Sequence, residues 1–197
     1  VNLSTLSTNH VAQDYEVLTG TLASNVQISI ADGATVVLNG ANINANGTWT
    51  TGNYAGLTCK GNATIILTGG TSYPNTIKGF DNSYPGIYVP SGNTLTILGT
   101  NNDFLTVSSN GFGAGIGGGN GISCGNIVIK GGNINATGGT NAAGIGGGGG
   151  NSVVCGDIAI TGGIIEATGG SGAVGIGCGV GVDNNSSCGK ITFTNTV

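Results

Sequence analysis

The apolar residues of this chain come in short runs of period two, separated by glycines, and the runs recur at a fixed interval. Val36-Val37-Leu38, Ile65-Ile66-Leu67, Leu95-Thr96-Ile97, Ile127-Val128-Ile129, Ile158-Ala159-Ile160 and Ile191-Thr192-Phe193 form one column. Leu57, Ile87, Ile116, Ile145 and Ile176, each preceded by glycine, form a second and recur every 29 to 31 residues. Alternation over so few positions predicts strands, and a repeat of this length predicts a solenoid or a related array.

The self-similarity is strongest late in the chain. Cys124 to Gly148 matches Cys155 to Gly179 without gaps at an offset of 31, with 16 identities in 25 positions, and a third copy opens at Cys188-Gly189. Each copy carries three apolar pieces, such as Ile127-Val128-Ile129, Ile134-Asn135-Ala136 and Gly144-Ile145, divided by Gly-Gly or Gly-Thr-Asn turns. Three strands per repeat predict a β-helix. A helix of ten or more residues has no room between those glycines, and neither the Trp-Asp signature of a propeller blade nor leucine-rich spacing is present.

The expected fold is therefore all-β: a right-handed parallel β-helix with about 30 residues and three strands per coil, in six to seven coils. Residues 1–197 form a single domain, with 1–30 an entry and capping segment, 31–121 irregular coils with aromatic loops, and 122–197 regular Gly-rich repeats. The Gly-Ile-Gly segments predict a tight corner or narrow layer with one side chain directed inward. Asp in place of Ile145 or Ile176 is expected to unfold the domain.

Composition narrows the function. The 42 glycines accompany 38% hydrophobic residues and 6% charged ones, a mixture that folds rather than remaining disordered. Net charge is −4, with no arginine, which argues against nucleic acid. No apolar run approaches a membrane span. The absence of Met fits a mature product whose leader has been removed, and the Asn, Thr, Ser and Gly content fits an extracellular or cell-surface location.

In Gly113-Ala114-Gly115-Ile116-Gly117-Gly118-Gly119, Cys124-Gly125-Asn126-Ile127-Val128-Ile129 and Gly131 to Gly139, the chain resembles β-helical repeats of large surface proteins from anaerobic gut bacteria. Asn2 to Leu6 and Leu18 to Leu22 look like the start of the same module. The resemblance implies a carbohydrate-binding or adhesin-like role, and no ligand residue is carried over from it.

Candidate chemistry is sparse. Asp81, Asp103, Asp157, Glu166 and Asp183 fall in different repeat columns, so the paired carboxyls of a glycosidase are not expected, and the single His10 lies in the entry segment. No cofactor and no metal are expected, since the Asp-containing calcium nonapeptide is absent. Aromatics cluster upstream: Trp49, Tyr54, Tyr73, Phe80, Tyr84 and Tyr88, with Asp81 and Asn82 alongside, are the candidate ligand-binding residues, and any recognition surface should lie within 46–112. Tyr54 and Tyr84 stand three positions before the aligned Leu57 and Ile87, so they should stack on one side of adjacent coils.

Cys124, Cys155 and Cys188 share a column and predict a ladder of buried thiols, while Cys178 and Cys188 are a candidate disulfide closing a local loop. The expected function is a non-catalytic extracellular module that binds polysaccharide or host glycan. The alternatives are a stalk, filament subunit or protein-binding module whose ends are covered by neighbouring subunits or domains, and, less favoured, a polysaccharide-active enzyme.

Overall fold

The computed structural model describes residues 1–43, 54–80, 83–109, 111–181, 183 and 185–194. These residues form a parallel β-solenoid whose strands stack in register on three faces. The first face runs through His10–Ala12, Ile28–Ile30, Leu57–Cys59, Ile87–Tyr88, Ile116–Gly117, Ile145–Gly146 and Ile176–Gly177. The second takes the leading half of Thr35–Ile43, then Ala63–Thr68, Thr94–Leu98, Asn126–Ile129, Ile158–Ile160 and Ile191–Phe193. The third takes the trailing half of Thr35–Ile43, then Asn75–Lys78, Phe104–Ser108, Asn133–Thr137 and Ile164–Thr168. Among the described residues the only helical turn is the 3-10 turn Leu3–Thr5.

From Ile28 to Ile176 the first face advances five times at the roughly 30-residue interval, so the solenoid has about five regular turns. A shorter step, from His10 to Ile28, precedes them. The six to seven coils expected from the sequence are reached only by counting that step and the partial last turn. The first 30 residues thus already hold two stacked rungs besides the turn that seals them.

Period-two alternation decides which side chains enter the core. Ala63–Thr68 alternates buried with half-buried residues along its whole length, and so does Thr94–Leu98 in reverse phase. The ladders adjust to one another. Along the second face Ala34 and Ala63 give way to Leu95, Ile127 and Ile158, while on the third Ile43, Ile77 and Val107 give way to Ala136 and Ala167. One column grows as the other shrinks, which lets a solenoid of constant girth keep a densely packed interior.

A polar ladder ties the rungs at the corner between the first two faces. Asp14 Oδ1 accepts the backbone N–H of Thr35, Asp32 Oδ1 that of Asn62, Asn62 Oδ1 that of Thr94, Asn126 Oδ1 that of Asp157 and Asp157 Oδ1 that of Lys190, at 2.7 to 2.9 Å. Each side chain therefore satisfies a backbone donor one rung away. This accounts for the glycine in the two later copies of the Cys-Gly-x-Ile motif, whereas in the first copy Gly125 lies against the Asn93 and Pro90 carbonyls. A methyl group on Gly156 or Gly189 would collide with the Asn126 or Asp157 side chain that curls beneath it.

The two ends differ. Leu3 is fully buried beneath the first rung, held by a turn in which Asn2 Oδ1 accepts from the Ser4 backbone and hydroxyl. At the other end Ile164 is 52% exposed and Phe193 65%. Ile176, expected in the interior, is half-buried because it lies in the last rung of its face, whereas Ile145, one rung in, is fully enclosed.

Candidate functional site

The corner between the second and third faces carries the best-formed concavity with an aromatic wall. Thr35–Ile43 crosses it, leaving the second face at Asn39 and joining the third at Asn42. Gly40 makes the turn with φ of +65°, a left-handed conformation that favours glycine. One rung earlier the ladder slips: Leu18 pairs with Leu38 but Gly20 with Ala41, a bulge that sets Thr19 opposite the turning segment. Bulges of this kind re-aim side chains and often lie beside binding sites.

One rung later, Tyr73 closes the corner. Its backbone N–H donates to Gly69 O at 3.3 Å, and the residue is 70% exposed. Tyr73, Thr19, Gly20, Asn39 and Gly40 enclose a shallow concavity of about 350 Å³. It is lined by an aromatic residue, two polar side chains and two glycines, whose missing Cβ atoms leave room for the Asn2 side chain at Gly20 and for Tyr73 itself at Gly40. The base is rigid because the fully buried Asn75 is fully engaged. Asn75 Oδ1 accepts from Ala41 N at 3.0 Å, and its Nδ2 donates to Thr68 O at 2.9 Å and Phe104 O at 3.0 Å, joining three rungs under the corner.

The other aromatics named from the sequence do not form one surface with Tyr73. Phe80 is corrected from ligand residue to core, since it is fully buried and stacks at a tilt against Tyr54 with ring centroids 5.0 Å apart. Leu57 and Ile87 are in register, so Tyr54 and Tyr84 hold equivalent positions on adjacent rungs. The Tyr54 ring, however, turns onto the core, and its hydroxyl donates to Asn25 Oδ1 at 2.6 Å, while burial pushes its phenol up from the ordinary value.

Tyr84 lies half-buried just before the first face and Tyr88 half-buried on it. Ser109 Oγ donates to Tyr84 O at 2.9 Å and fixes that segment. Burial, and then the nearby Tyr84, raise the Tyr88 phenol. Trp49, Asp81 and Asn82 lie outside the described residues.

Four carboxylates away from this corner are tied to neighbouring polar groups. Asp103 accepts from Thr100 N and Oγ1, Glu166 from Asn135, and Asp157 serves the corner ladder. Asp183 accepts from Ser152 Oγ at 2.6 Å, and that bond, with those from Asn185 and the Ser152 backbone, holds its carboxyl below the usual range. His10 Nε2 and Glu16 Oε1 pair at 2.5 Å in the entry rungs. Among the described residues, no group of three or more His, Cys, Asp or Glu side chains could hold a metal ion, and no helix is long and apolar enough to cross a membrane.

The cysteines correct the expected thiol ladder. Cys124 and Cys155, both buried on adjacent rungs with Cα atoms 4.7 Å apart, form a disulfide. Parallel stacking at about 4.8 Å brings in-register cysteines within the Cα range a disulfide spans. Cys59, Cys178 and Cys188 are thiols, so the candidate Cys178–Cys188 bond is not formed here. Comparison with protein-family models, with curated proteins and with solved structures gives no match.

The sequence pointed to Tyr73 but not to Thr19, Gly20, Asn39 and Gly40, which lie outside the interval 46–112. A signal for them exists. Leu18-Thr19-Gly20, Leu38-Asn39-Gly40 and Leu67-Thr68-Gly69 each follow a core leucine in one register column, and each marks the same corner.

Proposed function

We propose that this chain is a non-catalytic binding module for neutral polysaccharide or glycan, with the Tyr73 corner as its recognition site. The exposed Tyr73 beside Thr19 and Asn39 in one concavity carries the reading. A pyranose ring presents an apolar face that packs on an aromatic side chain, and hydroxyls that pair with Thr and Asn. A corner pinned by Asn75 lowers the ordering cost of binding. The resemblance to surface β-helical repeats points the same way and favours an extracellular setting. The carboxylates, engaged with backbone and side-chain donors on separate columns, support binding rather than hydrolysis.

Glycan-array screening of the intact domain tests this reading. The expected result is binding to neutral glycans that is lost in Tyr73→Ala and retained in Tyr84→Ala. Absence of binding to every neutral glycan by the folded domain would refute it.

A structural role is the second reading, favoured by the exposed apolar residues Ile164, Ile191 and Phe193 on the last described rungs. A neighbouring domain or subunit seated there would cover strand edges that otherwise stay open. Analytical ultracentrifugation over a concentration series separates the two, because self-assembly through that end makes the sedimentation coefficient rise with concentration.

A further inference from the structure

The strand that follows Tyr73 begins a run of outward side chains along the third face. There Leu105 pairs with Asn75 and Val107 with Ile77, and all four are buried. Alternation therefore turns Phe104, Thr106 and Ser108 to the outer side, in agreement with their exposure. Phe104 stands one residue before the pair of Leu105 and Asn75, beside Pro74, and so one rung beyond Tyr73. It is half-buried, and its carbonyl accepts from Asn75 Nδ2 at 3.0 Å, the same side chain that pins the Tyr73 corner. Two aromatic residues thus lie on adjacent rungs at one edge of the face.

A polar column runs beside them. Asn42, Thr76, Thr106 and Asn135 are in register on successive rungs, and none is charged. The three steps between them span about 14 Å at the usual strand spacing. Asn133 takes the Phe104 position on the next rung, and Thr137 takes that of Ser108. Charge appears only at the borders of this row. Asn135 Nδ2 donates to Glu166 Oε2 at 3.2 Å one rung further on, and Lys78 is in register with Ser108 on the far side.

We propose that the Tyr73 concavity opens a row of subsites along the third face, which takes an extended neutral polysaccharide lying along the solenoid axis instead of a single terminal sugar, a proposal that rests on the glycan reading of Tyr73. Phe104 offers a second apolar platform for a ring face, and Thr76, Thr106 and Asn135 offer hydroxyl and amide partners to the sugar hydroxyls. The rung interval of about 4.8 Å is close to the length of one pyranose in an extended chain, so successive sugars meet equivalent positions on successive rungs. One lysine and one glutamate at the borders leave no net charge to attract an acidic polymer. A terminal sugar would use the Tyr73 corner alone.

Calorimetric titration of the intact domain with linear neutral glucans, xylans, mannans and galactans, each from dimer to hexamer, tests the row. For the sugar that binds, affinity should rise about tenfold or more from dimer to tetramer and then level off. Thr106→Glu changes an exposed position and leaves the core intact. Both it and Phe104→Ala should remove most of that gain while leaving the affinity for the dimer within about twofold. Circular dichroism checks the fold of each, and Thr106→Glu decides the matter should Phe104→Ala unfold. Equal affinity from dimer to hexamer, with binding still lost in Tyr73→Ala, would overturn the row and leave Tyr73 as a glycan site. A length gain that survives in both folded variants would also overturn it, and no binding by any member of the panel would remove the row and the Tyr73 site together.

Discussion

Asp157 Oδ1 accepts the backbone N–H of Lys190 at 2.7 Å, one rung away, and Asp157 N in turn donates to Asn126 Oδ1 at 2.8 Å. Asp157 is thus both acceptor and donor in a corner ladder that bonds successive coils. Without its carboxylate the Lys190 donor would have to find water at the corner. Asp157→Ala should lower unfolding free energy by about 1 kcal/mol, the usual net worth of one such bond. Urea denaturation measures it, and no change in midpoint would remove the ladder from the account of stability.

The interior tolerates far less. Ile145 is fully enclosed, with Ile116 and Ile176 on the adjacent rungs. Ile145→Ala should cost about 2–5 kcal/mol through lost burial and the cavity left behind, and Ile145→Asp should abolish cooperative thermal unfolding. Ile176, half-buried in the last rung of its face, should be the milder site for either change.

Asn75 makes three hydrogen bonds beneath the Tyr73 corner and is fully buried. Asn75→Ala leaves backbone groups of three rungs without partners, at a cost of about 2–4 kcal/mol by denaturant unfolding. A variant as stable as the parent would show that the corner is not held in this way.

Cys59 gives a prediction about pH. Burial pushes its thiol from an ordinary 9.0 up to about 12. The folded state therefore keeps a proton that the unfolded chain releases. Its contribution is fully present below pH 9.0 and is lost progressively as pH rises toward about 12. Thermal unfolding of Cys59→Ala and parent across this window should show the parent losing more stability on going alkaline. Asp183 has the opposite sign, since its carboxyl is held low by Ser152. Its docking contact should persist above the ordinary carboxylate value and weaken as pH falls through the lowered one, seen as faster exchange at Ser152 N.

Much of the fold was legible because a solenoid repeats its physics. The apolar columns seen in the sequence are the ladders of the structure, and the 29-to-31-residue interval is the length of one turn. Cys-Gly-x-Ile was visible as a motif, but its cause was not. In its two later copies the glycine is required by an Asn or Asp side chain one rung below, a contact about 31 residues away in sequence, and in the first copy by the backbone at Asn93.

The site was harder to read because aromatic identity does not reveal direction. Phe80 and Tyr73 look alike as candidates, yet one fills the core and the other faces solvent. The partners of Tyr73 on two earlier rungs follow from register and from the bulge after Leu18, which local alternation does not encode. The disulfide is hidden in the sequence for a related reason. Stacking in register points side chains the same way and suits parallel thiols, but the Cα separation of adjacent rungs, 4.7 Å at Cys124 and Cys155, also suits a cross-link.

The most direct measurement is a nuclear magnetic resonance titration of the isotopically labelled domain with neutral oligosaccharides selected by array. Amide shifts should concentrate at Thr19, Gly20, Asn39, Gly40 and Tyr73 and disappear in Tyr73→Ala. Shifts confined to the repeats from Cys124 onward, or no shifts with any neutral oligosaccharide while the spectrum remains that of a folded protein, would contradict the account.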